Sequence, residues 1–343
     1  MPREEALQTV CVNGVRLHYA SAGDGPPILL VHGNGEDHRL FDGLVPRLTG
    51  AGLRVYAPDS RGHGANGPLA EYHYADMAED VYQLIRALGL NRPAYYGHSD
   101  GGIIGLMLEI MHPGTLGALA AGGANLTPEG IDAGFLKECA ARNREAPNPL
   151  ETMMLTEPHI PPEALGKIAC PALIVAGEND LIRREETLRI AAGLPLAHLV
   201  IVDGADHGSY IQDTMGALLP AFLAEPPCKA VTVAAETKYI ETVAAFIGGE
   251  LEKRGFSRRQ QTELRAVIGE LFSRAARQGG APGAGEITVR FEYAEESRTA
   301  ALTFIGRGVP REPGPLPAEW PADGRTYRFA EGCGILRMTK KTG

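Results

Sequence analysis

The chain has 343 residues, enough for two domains that each bury a core. A formal net charge of −9, with no standout Lys/Arg cluster, argues against nucleic acid as a partner. Five cysteines at wide spacings, an odd number, point to reduced thiols and a reducing, cytoplasmic compartment.

In chain order, the first five residues lack the basic-then-apolar profile of a signal peptide. Residues 10–12 and 16–20 flank Asn13-Gly14, a strong turn signal, and read as an opening hairpin. Residues 27–31 are a continuous apolar run, the pattern of a buried parallel strand, and end in His32-Gly33-Asn34-Gly35. A strand at 54–58 leads to Asp59-Ser60-Arg61-Gly62-His63-Gly64, and 72–88 is an amphipathic helix ended by Gly89. The apolar run 93–96 leads to Gly97-His98-Ser99-Asp100-Gly101 and then to a helix over 102–111. Residues 103–121, the longest apolar region, are broken by Glu109, His112, Pro113 and Gly114, so no membrane span is expected. An insertion at about 126–168, broken by Pro147-Asn148-Pro149 and the prolines of 158–162, reads as a compact lid. Its Met153, Met154 and Leu155 suit a small or medium apolar acyl group, or simply pack the lid onto the core. Strands at 171–177 and 198–202 precede Glu178-Asn179-Asp180 and Gly204-Ala205-Asp206-His207-Gly208.

These loops carry chemistry. A serine flanked by glycines at ±2, on a strand-to-helix turn, is the arrangement that lifts a nucleophile above a sheet. Ser99, Asp180 and His207 then stand in the order nucleophile, acid, base, each just past the C-terminal end of a strand. Asp203 and Asp206 are also near His207 but read better as turn formers, and His32 and His98 as structural residues. Backbone N–H groups of Asn34 and Asp100 are placed to form an oxyanion hole. If the Asp100 carboxylate faced the pocket, it would pair with a cationic substrate such as an amino-acid ester. No CxxC, HxxxH or HExxH spacing occurs, so neither a metal site nor a cofactor is expected.

On these motifs, residues 8–225 resemble the serine branch of the α/β-hydrolase family, and Asp59 to Gly64 look like that family's D-x-R-G-H-G turn. The resemblance implies a mostly parallel eight-stranded sheet with helices on both faces and a short lid after the sixth strand. It implies a serine hydrolase cleaving a small or medium carboxylic ester or lactone through an acyl-enzyme. Dehalogenases and epoxide hydrolases of the family carry aspartate at the nucleophile position, so Ser99 speaks against them. C–C-bond hydrolases and lactonases stay open.

After residue 225 the texture changes, and a smaller α+β domain is expected over 228–343. Residues 229–234 alternate like a strand, 236–254 and a segment capped by Ser257 are helical, and 286–293 and 299–305 form a hairpin. This order resembles, over 228–338, a degenerate ATP-binding domain of anti-sigma-factor kinases and histidine kinases. The family's metal-binding asparagine is replaced by Arg274, four residues after Glu270, and its adenine-reading aspartate by Phe304. Gly306 and Gly308 fall at one glycine loop, and Gly332-Cys333-Gly334 echo another. This unit would serve as a homodimer or protein-partner interface. The alternative function is a signalling protein whose hydrolase pocket senses a ligand.

Overall fold

The computed structural model describes residues 7–225, 228–278, 285–307, 323–330 and 333–342. The chain divides into two units, Met1–Leu196 with Gly204–Pro226 and Ala197–Asp203 with Pro227–Gly343.

The first unit opens with strands β1 (Gln8–Val12) and β2 (Val15–Ala22), paired antiparallel around Asn13 and Gly14, both at positive φ as a tight hairpin turn requires. Then come β3 (Pro27–Val31), helix α1 (Val45–Gly50), β4 (Arg54–Pro58), α2 (Tyr74–Ala87), β5 (Ala94–His98) and α3 (Asp100–Met111). β6 (Ala118–Gly122), α4 (Ala133–Glu145), α5 (Pro149–Thr156), β7 (Ala172–Gly177) and α6 (Arg184–Gly193) follow. The strands lie in the order β1-β2-β4-β3-β5-β6-β7, parallel from β4 onward. Every residue of β6 and β7 is buried, which explains their unbroken apolar runs: a strand covered on both faces has no polar side to show. The lid insertion folds as α4 and α5 between short 3₁₀ turns.

α2 buries Met77, Ala78, Val81, Leu84 and Ile85 on one stripe and stops before Gly89, which adopts φ 63°. It begins two residues later than the periodicity predicts. Tyr72 is used elsewhere, its hydroxyl accepting the Leu69 N–H and donating to the Gly62 carbonyl.

Seven of the eight expected strands belong to this unit. The eighth, β8 (Ala197–Val202), groups with the second unit because it pairs in parallel with β9 (Lys229–Ala234). α7 (Asp213–Ala224) closes the first unit. The second unit continues with α8 (Ile240–Lys253), α9 (Arg258–Gln278), β10 (Glu286–Ala294), β11 (Thr299–Arg307), β12 (Gly324–Ala330) and β13 (Cys333–Lys341). Its strand order is β8-β9-β10-β11-β13-β12, antiparallel after β9. α8 starts four residues later than predicted because residues 237–239 form a 3₁₀ turn. Ser257 and Gln260 form a reciprocal cap: the Gln260 N–H donates to Ser257 Oγ and the Ser257 N–H donates to Gln260 Oε1. Val243, Phe246, Ile247 and Leu251 of α8 are buried, as are Leu264, Val267, Ile268 and Phe272 of α9. Val289, Phe304 and Leu336 lie side by side across β10, β11 and β13 and are buried too.

The kinase-like resemblance of this unit is not borne out. Arg274 pairs with Glu270 one turn earlier at 2.6 Å, and Phe304 fills the core. Gly306 and Gly334 face each other in the β11–β13 ladder, as strand residues rather than as a phosphate-cradling loop. Gly308 and Gly332 lie outside the described residues.

Candidate active site

The site begins at the turn between β5 and α3. A Cβ on Gly97 would lie 2.0 Å from the Gly101 carbonyl oxygen, and one on Gly101 would lie 2.0 Å from that of Val31. Only glycines let the chain reverse here. Ser99, between them, is held at φ 53° and ψ −116°, a region that costs a non-glycine residue about 1–3 kcal/mol. Its N–H donates to the Gly122 carbonyl (2.7 Å), and its own carbonyl accepts from the N–H groups of Gly102 and Ile103. The strained turn is thereby fixed from both sides.

The structure brings Ser99, His207 and Asp180 together. His207 Nδ1 lies 2.7 Å from Asp180 Oδ1, and its Nε2 lies 3.1 Å from Ser99 Oγ. A carboxylate can only accept, so the neutral imidazole carries its proton on Nδ1 and leaves Nε2 free to accept from the serine hydroxyl. Asp180 also receives the N–H groups of Gly177 (2.9 Å) and Ile182 (3.0 Å). Burial alone would raise its pKa; the hydrogen bond and charge of His207 and these two amides outweigh it and lower the pKa. Asp180 is therefore an anion wedged behind the imidazole.

The neighbouring acids are engaged in other ways. Asp206 Oδ1 accepts the N–H groups of Gly208 and Ser209, the turn-forming use expected of it. Asp203 accepts from the Tyr239 hydroxyl and pairs with Lys238. His32 is structural: one ring nitrogen contacts the Gly33 carbonyl and the other receives the Ser60 N–H. Burial pushes its pKa down to about 4, which keeps it neutral.

Asn34 follows β3, and Asp100 opens α3 directly after the serine. Among the described hydrogen bonds, none uses either backbone N–H. At the first residue of a helix the N–H has no partner within the helix. The Asp100 side chain does not await a cation. It is buried, Oδ1 accepts the Tyr74 hydroxyl (2.7 Å) and Oδ2 accepts from Asn34 Nδ2 (3.0 Å). Burial raises its pKa, with the Tyr74 and Asn34 hydrogen bonds opposing.

Sequence reasoning missed Glu36. Its Oε2 accepts the Gly33 N–H at 2.9 Å, and a Cβ built on Gly33 would meet both that oxygen (2.7 Å) and Ser99 Cβ (3.1 Å). Burial raises its pKa, and the spacing of three from Gly33 is the local signal that would have found it. Asp37, His38 and Asp59 place ligand-type atoms within 4.8 Å of one another. These groups are already engaged: Asp59 accepts from His38 and Ala65, and Asp37 pairs with Arg39.

Residues 26–138 match the family model described as alpha/beta hydrolase fold, and the first unit has that fold. A hydrolase from Pseudomonas aeruginosa superposes with a TM-score of 0.53 at 24% identity, covering 65% of this chain and all of that one. The enol-lactonase from Burkholderia xenovorans gives 0.53 at 22% identity over 64% of this chain and 100% of its own. In sequence, bifunctional epoxide hydrolase 2 of Sus scrofa is 32% identical over 111 residues. That match takes in 32% of this chain, and the chain spans only 20% of that relative's length. Among the described residues, no helix is long and apolar enough to cross a membrane.

Proposed function

We propose that the chain is a serine hydrolase that cleaves a small or medium carboxylic ester or lactone through an acyl-enzyme. The observation that carries this reading is the continuous row from Asp180 through His207 to the oxygen of a strained serine. Ser99 Oγ attacks the carbonyl carbon while its proton passes to His207 Nε2, and the C=O electron pair moves onto oxygen. Asp180 holds the tautomer and stabilises the imidazolium. The N–H groups of Asn34 and Asp100 receive the oxyanion, each donor contributing about 3–4 kcal/mol to the barrier reduction. Collapse expels the alcohol, which takes the proton from His207. Water, giving its proton to the same nitrogen, then attacks the acyl carbon, and Ser99 leaves with that proton. The His207 side chain is 24% exposed, which gives this water a path to the base.

The enol-lactonase likeness supports a lactone as well as an open ester. The epoxide hydrolase likeness covers a fifth of that relative, and here serine stands at the turn, so a carbonyl substrate is favoured over an epoxide. Cys11, Cys139 and Cys170 are free thiols, which supports a reducing, cytoplasmic setting. A panel of p-nitrophenyl esters of increasing acyl length, with matching lactones, tests the reading on the wild-type chain and Ser99→Ala. Turnover lost in Ser99→Ala, with an acyl adduct on Ser99 by mass spectrometry, is the expected result. Tight binding without turnover would make the pocket a ligand sensor instead.

A further inference from the structure

An oxyanion hole works only if its two donors keep a fixed separation, and here they come from different elements. Asn34 sits in the loop after β3, and Asp100 is the first residue of α3. The side chains of these same two residues bond to each other at 3.0 Å. The second Asp100 oxygen takes the hydroxyl of Tyr74, whose side chain is fully buried at the start of α2. A carboxylate in this place is costly to desolvate. Two donors and the N-terminus of α3 offset that cost. A phenylalanine at 74 would fill the same space without placing a hydroxyl on the carboxylate.

The lid closes the circuit. The second Asn34 Nδ2 hydrogen reaches the Leu150 carbonyl in α5 (3.4 Å). At the other end of that helix, Glu157 Oε2 accepts the backbone N–H of Tyr74 (3.1 Å). Both ends of α5 thus return to the residues that bear or brace the two amides.

We propose that Tyr74 is a positioning residue: its hydroxyl, the Asp100 carboxylate and the Asn34 side chain form a buried brace that sets the spacing of the two oxyanion donors and seats α5 over them. The inference rests on the hydrolase reading for the purpose of the spacing, and on the geometry alone for the brace itself. Tyr74 touches no reacting atom; it acts through Asp100 and Asn34, whose backbone N–H groups survive every substitution used below.

The test measures ester kinetics, affinity for phenylboronic acid and thermal stability of the full chain. Tyr74→Phe is expected to lower kcat about tenfold with KM unchanged, and to weaken boronate binding by the same factor. Asn34→Ala, which keeps the backbone donor, should do likewise, and it serves if Tyr74→Phe fails to fold. Asp100→Asn leaves one oxygen for two donors and should cost more, whereas Asn34→Asp with Asp100→Asn restores donor against acceptor between the pair, gives up the Leu150 contact, and should recover part of kcat. A packing role would lower stability without that reciprocal recovery. Wild-type kcat in Tyr74→Phe, or a loss confined to KM, would overturn the brace while leaving the hydrolase reading intact. If the wild-type chain cleaves no ester, that reading fails instead, and hydrogen exchange at the Asn34 and Asp100 amides decides. Faster exchange in Tyr74→Phe supports the brace, and unchanged exchange refutes it.

Discussion

The ring of His98 lies against that of His207, their centroids 4.9 Å apart and their planes inclined by 51°. Two imidazoles this close could compete for one proton. Burial, reinforced by the charge of His207, pushes the His98 pKa down to about 3, so His98 stays neutral.

That arrangement has a signature in stability. His98 and His32 are both buried and neutral, with folded pKa values near 3 and 4 against about 6.5 when unfolded. A depressed pKa means that the unfolded chain binds the proton first. The stabilisation is complete above about pH 6.5 and is lost as pH falls toward the folded values, at about 1.4 kcal/mol per pH unit for each histidine. Denaturation midpoints should therefore fall from about pH 6.5 to pH 5, and His32→Gln should flatten the slope. A midpoint independent of pH over that interval would contradict it.

Removing a member of the row should act on the chemical step. Ser99→Ala and His207→Ala should each lower kcat by about 10⁴-fold or more, with the double variant scarcely worse than either single one. Asp180→Asn should cost less, because the imidazole keeps its place even when its tautomer is no longer enforced. Steady-state kinetics with the best ester of the panel gives the numbers, and near-normal turnover in Ser99→Ala would remove the nucleophile.

The strain at Ser99 predicts a trade between stability and activity. Glycine adopts φ 53° without a Cβ penalty, so Ser99→Gly should be more stable than Ser99→Ala by about 1 kcal/mol, although both lack the nucleophile. Gly101→Ala should do the reverse, since its Cβ would meet the Val31 carbonyl oxygen at 2.0 Å. Clashes with backbone relax poorly, and a loss of about 3 kcal/mol or more is expected. Chemical denaturation of the three variants should rank them with Ser99→Gly first and Gly101→Ala last; equal stability of Ser99→Gly and Ser99→Ala would show the turn to be relaxed.

Much of this was legible along the chain because the signals are local. Gly97 to Gly101 form a turn whose geometry follows from five adjacent residues, and the apolar runs of β3 and β7 report burial on both faces. The brace was not legible. Tyr74 lies 26 positions from Asp100, and Asn34 lies 66 away, so nothing in the local pattern says that their side chains meet. The tyrosine counts in sequence only as one more apolar member of an amphipathic helix. The orientation of Asp100 could not be read either, because the first residue of a helix can turn toward the pocket or into the core. In the second unit, β12 and β13 interleave arginine and lysine with apolar residues, which hid a hairpin that the ladder makes plain.

The lid carries its own pH dependence. His73 Nδ1 lies 2.6 Å from Glu157 Oε1, at the end of α5, and Glu71 approaches Nε2 at 3.3 Å. The hydrogen bond to Glu157, with the charges of Glu157, Glu71 and Asp76, raises the His73 pKa above its ordinary value. A raised folded pKa means that this contact is at full strength below about pH 6.5 and is lost as pH climbs through the folded value. The His73 side chain is 46% exposed, so solvent screens the pair and the effect should be felt mainly at α5 rather than in global stability. Amide hydrogen exchange of residues 149–156, corrected for its intrinsic pH dependence, should therefore lose protection between pH 6 and pH 9. Glu157→Gln should remove that dependence and lower protection at pH 6 to the level the wild type reaches at high pH. His73→Phe should match it, because it keeps the ring and deletes the proton. Protection of α5 that stays constant with pH in the wild-type chain would show that the Tyr74 N–H and Asn34 contacts hold the lid without help from His73.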